Sequence, residues 1–212
     1  SEHFIASHHS VNTENINLLG SEPERGEAYI IHGTNTDYMN LLDYISNNDM
    51  NAPLVQNALE NWIDIESFMK YQAFQIFIDN RDWPGNNIKY WRDRRIGGKW
   101  RWILYDTDFG FGIWDPWAFT INTLDFALEP NGPDWPNPPW STYMFRKLIE
   151  NDNFKYVFIN TYCDLLNTIF TSDNLLNHLD SITNNIINLI PVHQERWNIQ
   201  WGGGCCWGEG SA

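Results

Sequence analysis

The chain has 212 residues, of which 42% are hydrophobic and 16% aromatic, so it can bury the core of one ordinary domain. Its formal net charge of −14 repels phosphate backbones and anionic lipids, which argues against nucleic acid or an anionic membrane face as a partner. No apolar run approaches the roughly 20 residues of a membrane span, and the polar start SEHFIASHHS shows no signal peptide.

The first third of the chain contains one weak region and three predicted elements. Residues 1–25 are polar and weakly patterned, and they predict no element. A short strand is predicted at 26–34 and a helix at 36–49. Residues 64–80 carry apolar side chains at i, i+3 and i+4 spacing, which predicts a core helix with Asp64 as its N-cap.

A turn and a hairpin follow that helix. The stretch DNRDWPGNN at 79–87 contains a Pro-Gly pair, which marks a turn. Residues 88–92 and 99–105 are predicted to be the two strands of a β-hairpin, and the second strand leads directly into DTDFGFG. The hairpin therefore has an acidic, amide-rich segment at each end.

The remainder is predicted to be a long loop followed by helices. Residues 115–140 are rich in proline and indicate an irregular, exposed loop. The helices expected after it are 142–152 with Ser141 as cap, 154–170, 174–190 ending at Pro191, and 192–197. The order of elements predicts an α+β fold that is mostly α, with a C-terminal helical bundle. Residues 201–212, rich in Gly and Cys, are expected to be a disordered or non-native tail.

The two acidic segments form a candidate metal and phosphate site. Because a hairpin returns to its starting point, Asp82 and Asn87 on the first loop could meet Asp106 and Asp108 on the second. Hard oxygen ligands of this kind suit Mg²⁺ or Mn²⁺ that also binds substrate phosphates. Phosphoryl transfer needs one Asp to accept a hydroxyl proton and further oxygen ligands for the metal. The alternative is structural, since Asp and Asn also cap helices and occupy turns.

Two short patterns favour the phosphoryl-transfer reading. Asp82 to Asn87 has the D-x-x-x-x-N spacing of a kinase catalytic loop, and Asp108 begins a literal DFG. Each pattern alone is common, and their order around a strand pair is moderately specific.

The sequence resembles the CotH (spore-coat protein H) kinase family, a divergent branch of the protein-kinase-like fold. The resemblance is carried by NWIDIESFMKYQAFQIFIDNRDWPGNNIKYWR, KWRWILYDTDFGFG, FKYVFINTYCDLLNTIF and HQERW. It implies ATP-dependent phosphorylation, typically of serine in secreted or coat proteins, with Mg²⁺ or Mn²⁺ as cofactor. It also implies a protein substrate and a location outside the cell or on the cell or spore surface.

The resemblance also assigns roles to the acidic residues. Asp82 would be the catalytic-loop carboxylate, Asn87 a metal ligand and Asp106 the main metal-binding residue, with Asp108 as the alternative. Residues 26–200 would form a kinase-like C-terminal lobe, and residues 1–25 a truncated segment or the remnant of an upstream lobe. No upstream lobe with a phosphate-pairing Lys is recognised, so the chain alone could bind metal and yet lack kinase activity.

The hairpin also offers candidate phosphate-binding cations and aromatic surfaces. Lys99 and Arg101 lie opposite Trp100 by strand alternation and could bind the phosphates of ATP, although a solvated strand face explains them equally well.

The Trp side chains allow further functions. Those at 83, 91, 100 and 102 could form a sugar-stacking platform or pack into the core, and those at 114, 117, 135 and 140 could form a partner surface.

The competing functions are therefore non-catalytic or hydrolytic. A surface adhesin, a coat scaffold or a carbohydrate-binding module could use the Trp-rich loop without any chemistry at the acidic residues. A glycoside hydrolase with an Asp pair is weaker, because Asp106 and Asp108 are only two residues apart and give no independent sign of paired-carboxylate geometry.

Overall fold

The fold is taken from a computed structural model, which describes residues 1–113, 115–130 and 137–198. Trp114, Trp135 and the tail at 201–212, for which the sequence makes predictions, lie outside the described residues. The chain divides into two compact units, Ser1–Ile159 and Asn160–Ala212.

Helices dominate the described chain. Nine α-helices run α1 (Glu2–His9), α2 (Thr36–Asn47), α3 (Pro53–Trp62), α4 (Ile65–Phe77), α5 (Thr123–Leu128), α6 (Tyr143–Ile149), α7 (Asp152–Thr168), α8 (Ser172–Ile186) and α9 (Ile190–Trp197) across the described residues. Four strands are β1 (Ile16–Glu22), β2 (Gly26–His32), β3 (Ile88–Asp93) and β4 (Arg101–Ile103). The predicted class, α+β and mostly α, is confirmed. No helix of the described residues is long and apolar enough to cross a membrane.

The four strands form one antiparallel sheet in the order β2-β1-β3-β4. The predicted hairpin is its β3–β4 pair, in which Tyr90 lies opposite Trp102. The sequence did not predict β1, the central strand that places Leu18 opposite Trp91. Six of its seven residues are buried, so both faces are covered and no apolar–polar alternation marks it as a strand.

The core of the first unit lies between the sheet and helices α2, α4 and α6. Tyr38 on α2 packs on Tyr90, with ring centroids 4.5 Å apart. Phe68 on α4 lies edge-on to Trp102, also at 4.5 Å, and reaches Phe145 on α6 at 6.4 Å. Asp64 caps α4 by accepting a hydrogen bond from the Ser67 amide at 3.1 Å, as the sequence predicts. Helix α4 is thereby held against the sheet with its C-terminus at the first acidic loop.

Helix α1 packs beside β1 and β3. Ile5 on α1 joins Ile16, Leu18 and Trp91 in a small buried cluster. His9 stacks on the Trp91 ring, with centroids 4.6 Å apart. The segment for which the sequence predicts no element is therefore folded onto the sheet.

Several predicted boundaries are wrong. Residues 115–140 are not an uninterrupted loop, because Thr123–Leu128 is helical, with Asn122 accepting from the Asp125 amide as N-cap. The N-cap of α6 is Thr142 rather than Ser141, whose hydroxyl bonds to Asn137 and Pro138 instead. Pro191 does not end a helix: α8 ends at Ile186, and Pro191 lies in the first turn of α9, where a missing amide hydrogen does no harm.

The described part of the second unit, residues 160–198, consists of the end of α7 followed by α8 and α9. Thr171 caps α8 by accepting from the Asn174 amide at 3.4 Å. No residue of this described part is buried, and Leu176, Leu179 and Ile182 are each more than half exposed. The helices of the predicted C-terminal bundle are present, but the described part of this unit has no bundle core of its own.

Candidate active site

The first acidic loop is held by the side chain of Asn80. Helix α4 ends at Phe77, and the buried Asn80 then donates its Nδ2 to Gln75 Oε1 at 2.9 Å. Its Oδ1 accepts the Asp82 amide at 3.1 Å. One buried amide thus ties the loop back to the helix and fixes the backbone of Asp82. Sequence reasoning assigned no site role to Asn80.

Asp82 and Asn87 are brought together across this loop. Asn87 donates its Nδ2 to Asp82 Oδ2 at 2.7 Å. Only 6% of the Asp82 surface is exposed, and burial raises the pKa of its carboxyl group above the ordinary value. Hydrogen bonds from Asn86 and Asn87 oppose that rise, whereas the negative charge of Asp108 adds to it. Because Asn87 uses its nitrogen on Asp82, its Oδ1 remains a candidate oxygen ligand.

Asp106 and Asp108 form the second acidic loop, directly after β4. Partial burial raises the pKa of Asp106, and a hydrogen bond from Asp108 and the negative charges of Asp108 and Asp82 raise it further. The negative charge of Asp82 on the first loop thus acts on Asp106, and that of Asp108 on the second loop acts on Asp82.

Backbone hydrogen bonds join the two loops directly. The Arg81 amide donates to Phe109 O at 3.2 Å, and the Phe111 amide donates to Ile78 O at 2.6 Å. Gly110 lies so close to the first loop that an added Cβ would be 2.7 Å from Ile78 Cδ1. The convergence expected from hairpin geometry is therefore present in the backbone itself.

Asp79 gives the first loop a second anchor. Its Oδ1 accepts the Thr123 hydroxyl at 2.7 Å, and its Oδ2 pairs with Arg81 Nε at 2.9 Å. Thr123 is the first residue of α5, so the segment predicted to be a loop supplies a fixed support to the site. No sequence signal indicates this contact, because 44 residues separate its two partners.

Left-handed backbone conformations gather at the two loops. Of seven non-glycine residues with positive φ in the described chain, four lie here: Asp79 (47°), Asn87 (53°), Asp106 (52°) and Phe111 (55°). Asp and Asn tolerate this region, but an aromatic residue rarely adopts it. Such conformations persist where the surrounding structure imposes them, and they are frequent at functional sites.

Lys89 is a basic side chain near Asp106 that sequence reasoning missed. Its Nζ lies 3.3 Å from the centroid of the Tyr105 ring, and its positive charge partly offsets the raised pKa of Asp106. Lys89 follows Asn87 by two residues and lies between the buried Ile88 and Tyr90. The alternation of β3 was the available signal, because it places Lys89 on the other face of the strand.

Lys99 and Arg101 are not brought to the carboxylates. Arg101 pairs with Trp91 and Ile103 with Lys89, so Lys99 and Arg101 lie toward the turn of the hairpin, at the end away from the acidic loops. Arg101 donates its Nε to Asp64 Oδ2 at 2.8 Å instead. The structure therefore separates the cations proposed to bind ATP phosphates from the proposed metal ligands.

The donor set fits a hard divalent cation that keeps some of its water. All candidate ligands of the two loops are carboxylate or amide oxygens, which Mg²⁺ and Mn²⁺ prefer. Among the described residues, no group of three or more His, Cys, Asp or Glu side chains is arranged as a ready-made metal cage.

Three of the four Trp side chains considered for a sugar-stacking platform are buried. Trp83, Trp91 and Trp100 are at most 3% exposed, and only Trp102 of the four is partly exposed, so the four cannot form such a platform together. Trp117 differs, with 68% of its surface exposed beside the ring of Phe119, which is 78% exposed.

Comparison with known proteins identifies a family. The sequence matches the family model described as CotH kinase protein over residues 12–201, which is most of the chain. The resemblance seen in the sequence is thereby confirmed. No curated protein and no solved structure matches the chain.

Proposed function

This chain belongs to the CotH kinase family, and we propose that it is an ATP- and Mg²⁺- or Mn²⁺-dependent protein kinase domain. Its substrates would be serine side chains of secreted or coat proteins, and it would act outside the cell or on the cell or spore surface. Membership of the family supports kinase-like function in general, and the acidic loops support the assignment of residues.

The observation that carries this proposal is the meeting of two acidic loops around the β3–β4 hairpin. Asp82 and Asn87 are hydrogen-bonded on one loop, Asp106 and Asp108 interact on the other, and the backbones are bonded to each other. Phosphoryl transfer depends mainly on positioning and on charge stabilisation, and both require ligands from separate segments to be held together.

Each residue has a distinct part in the proposed reaction. Asp82 accepts the proton of the serine hydroxyl, and its raised pKa makes it a better base at neutral pH than an ordinary Asp. Asn87 orients Asp82 through its amide hydrogen, while its oxygen joins Asp106 and Asp108 as a ligand for the cation. The bound metal–nucleotide would supply the phosphoryl group and neutralise its charge.

Lys89 adds a positive charge on the side of Asp106. We assign it the role of balancing phosphate charge, because its positive charge acts on Asp106. Lys99 and Arg101 are left out of this proposal because they lie toward the opposite end of the hairpin.

Phosphorylation of protein serine is the direct test. The chain, joined to the upstream lobe that a kinase requires, is incubated with ATP and Mn²⁺ in the presence of coat or secreted proteins, and serine phosphorylation is read by mass spectrometry. Asp82→Asn and Asp106→Asn should each abolish transfer, whereas Asp180→Asn, an exposed carboxylate on α8, should leave it unchanged. Full transfer by either loop variant would show that the carboxylates do not carry the reaction.

The alternative is a non-catalytic binding module, and the exposed Trp117–Phe119 pair favours it. In that case a surface partner would bind equally well to Asp82→Asn and Asp106→Asn chains, and Trp117→Ala would weaken binding. Loss of binding in the two Asp variants would argue against this alternative.

A further inference from the structure

The β3–β4 segment is basic in an otherwise acidic protein. Residues 89–101 read KYWRDRRIGGKWR and contain six of the thirteen Lys and Arg residues of the chain, with a single Asp. The whole chain carries a net charge of −14. Lys89 lies at the end near Asp106, and Arg92 pairs with Asp37 at 3.5 Å, so the cations that remain are at or next to the turn of the hairpin. A local concentration of positive charge attracts anions.

A cavity opens at the turn of this hairpin. Its volume is about 470 Å³, which lies in the range of small-ligand sites. Arg95, Lys99 and Arg101 supply its positive charges, Asp93 its one negative charge, and Trp91 an aromatic wall. None of the acidic-loop residues lines it, so it is separate from the proposed active site.

The cations of the cavity are only partly neutralised. Arg95 is bound to Asp93, with its Nη2 2.6 Å from Oδ2. Arg101 uses its Nε on Asp64, and among the described residues its two terminal nitrogens have no hydrogen bond. Lys99 is half-buried and has no ion pair or hydrogen bond to any other described residue.

Three carboxylates line an adjoining cavity of about 360 Å³, those of Glu60, Asp64 and Glu66, and Lys99 and Arg101 line it as well. Glu66 is already paired with Lys70, whose Nζ lies 2.6 Å from Oε1. On the wall of the basic cavity, burial lowers the pKa of His9, and the positive charge of Arg101 lowers it further.

We propose that this hairpin-turn cavity binds a phosphoryl group, with Lys99 and the terminal nitrogens of Arg101 as its principal donors. A guanidinium group presents paired N–H donors that match phosphate oxygens, and an unpaired lysine supplies a mobile point charge. Gly97 leaves the turn open, since a Cβ added there would meet no atom within 4 Å. The group could be free phosphate or a phosphorylated side chain of a protein, and both offer the same dianion.

The test uses the full chain in EDTA, so that no divalent cation can bind at the acidic loops. Calorimetric titrations compare inorganic phosphate, a phosphoserine peptide and the same peptide with serine. The phosphoserine peptide should bind and the serine peptide should not. Binding of inorganic phosphate with equal affinity identifies the free anion as the ligand, and tighter binding of the peptide identifies a phosphorylated protein.

Lys99→Ala should weaken binding of the better of the two phosphate ligands about tenfold, because one charge-assisted contact is lost. Lys155→Ala removes an exposed lysine on α7 that also lacks an ion pair among the described residues, and it should bind like the wild type. In the unaltered chain, the amide resonances of Gly97 and Gly98 should shift on titration, which gives a local readout that needs no variant. Any of three results would overturn the proposal. The first is that both peptides bind equally and inorganic phosphate does not bind, the second is that the Lys99→Ala and Lys155→Ala chains bind with equal affinity, and the third is that the glycine resonances do not shift.

This inference stands apart from the kinase assignment. Asp106→Asn should leave phosphoryl binding in EDTA unchanged while it abolishes phosphate transfer. Failure of the one proposal is therefore distinguishable from failure of the other.

Discussion

Replacement of Asn80 by Ala tests how the first acidic loop is supported. Asn80 is 3% exposed and makes two side-chain hydrogen bonds, to Gln75 Oε1 at 2.9 Å and from the Asp82 amide at 3.1 Å. Alanine removes both bonds and leaves two buried polar groups without partners. Each unsatisfied buried group costs about 1–3 kcal/mol. The free energy of unfolding is therefore expected to fall by about 3 kcal/mol.

Urea denaturation followed by far-UV circular dichroism measures this loss. Asn61→Ala is the matched control, because Asn61 makes one exposed hydrogen bond, from its Nδ2 to Asn57 O at 3.0 Å. That change should lower the free energy of unfolding by no more than about 0.5 kcal/mol. If the two variants have the same stability within error, Asn80 does not hold the loop and the reasoning fails.

The effect on activity separates positioning from stability. In Asn80→Ala, phosphate transfer should fall at temperatures where the chain remains folded, because Asp82 loses its backbone anchor. Full activity in the folded variant would show that Asn80 supports the fold without orienting Asp82.

Three further changes test the core and the loop contacts. Burial raises the pKa of Glu27 to about 7 from 4.5, so the folded chain holds this proton more tightly than the unfolded chain. Between pH 4.5 and 8, the free energy of unfolding of the wild type should therefore fall by about 2–3 kcal/mol more than that of Glu27→Gln. Urea denaturation at both pH values measures this, and an equal change in the two proteins would contradict it. Gly110→Ala places a methyl group 2.7 Å from Ile78 Cδ1 and should lower the unfolding temperature, whereas an unchanged temperature would mean that the loops adjust freely. Thr123→Val removes the 2.7 Å hydrogen bond to the buried Asp79 and should lower the free energy of unfolding, measured by urea denaturation, by about 2 kcal/mol. An unchanged free energy of unfolding would show that Asp79 does not anchor the loop.

The parts of the site that could be predicted depend on residues that are close together in the sequence. A hairpin returns to its start, so the acidic stretches at its two ends had to approach each other, and their backbones are bonded to each other. The N-cap at Asp64 and the apolar spacing of α4 were equally local. Such features depend on neighbours within a few residues, which the sequence displays directly.

The parts that could not be predicted depend on contacts between distant segments. Strand β1 is buried on both faces and shows no alternation, and the Thr123–Asp79 bond joins segments 44 residues apart. The position of the basic side chains also depends on a contact between separate segments. Alternation predicts a face for Lys99 and Arg101, but only the register of β3 with β4 shows which end of the hairpin they occupy.

Binding of Mn²⁺ tests most directly whether the two acidic loops hold a common cation. Electron paramagnetic resonance titration in the presence of ATP should show one bound Mn²⁺ in the wild-type chain. Asp82→Asn and Asp106→Asn should each weaken this binding by at least about tenfold, and Asp180→Asn should bind like the wild type. Unchanged Mn²⁺ affinity in both loop variants would contradict the account.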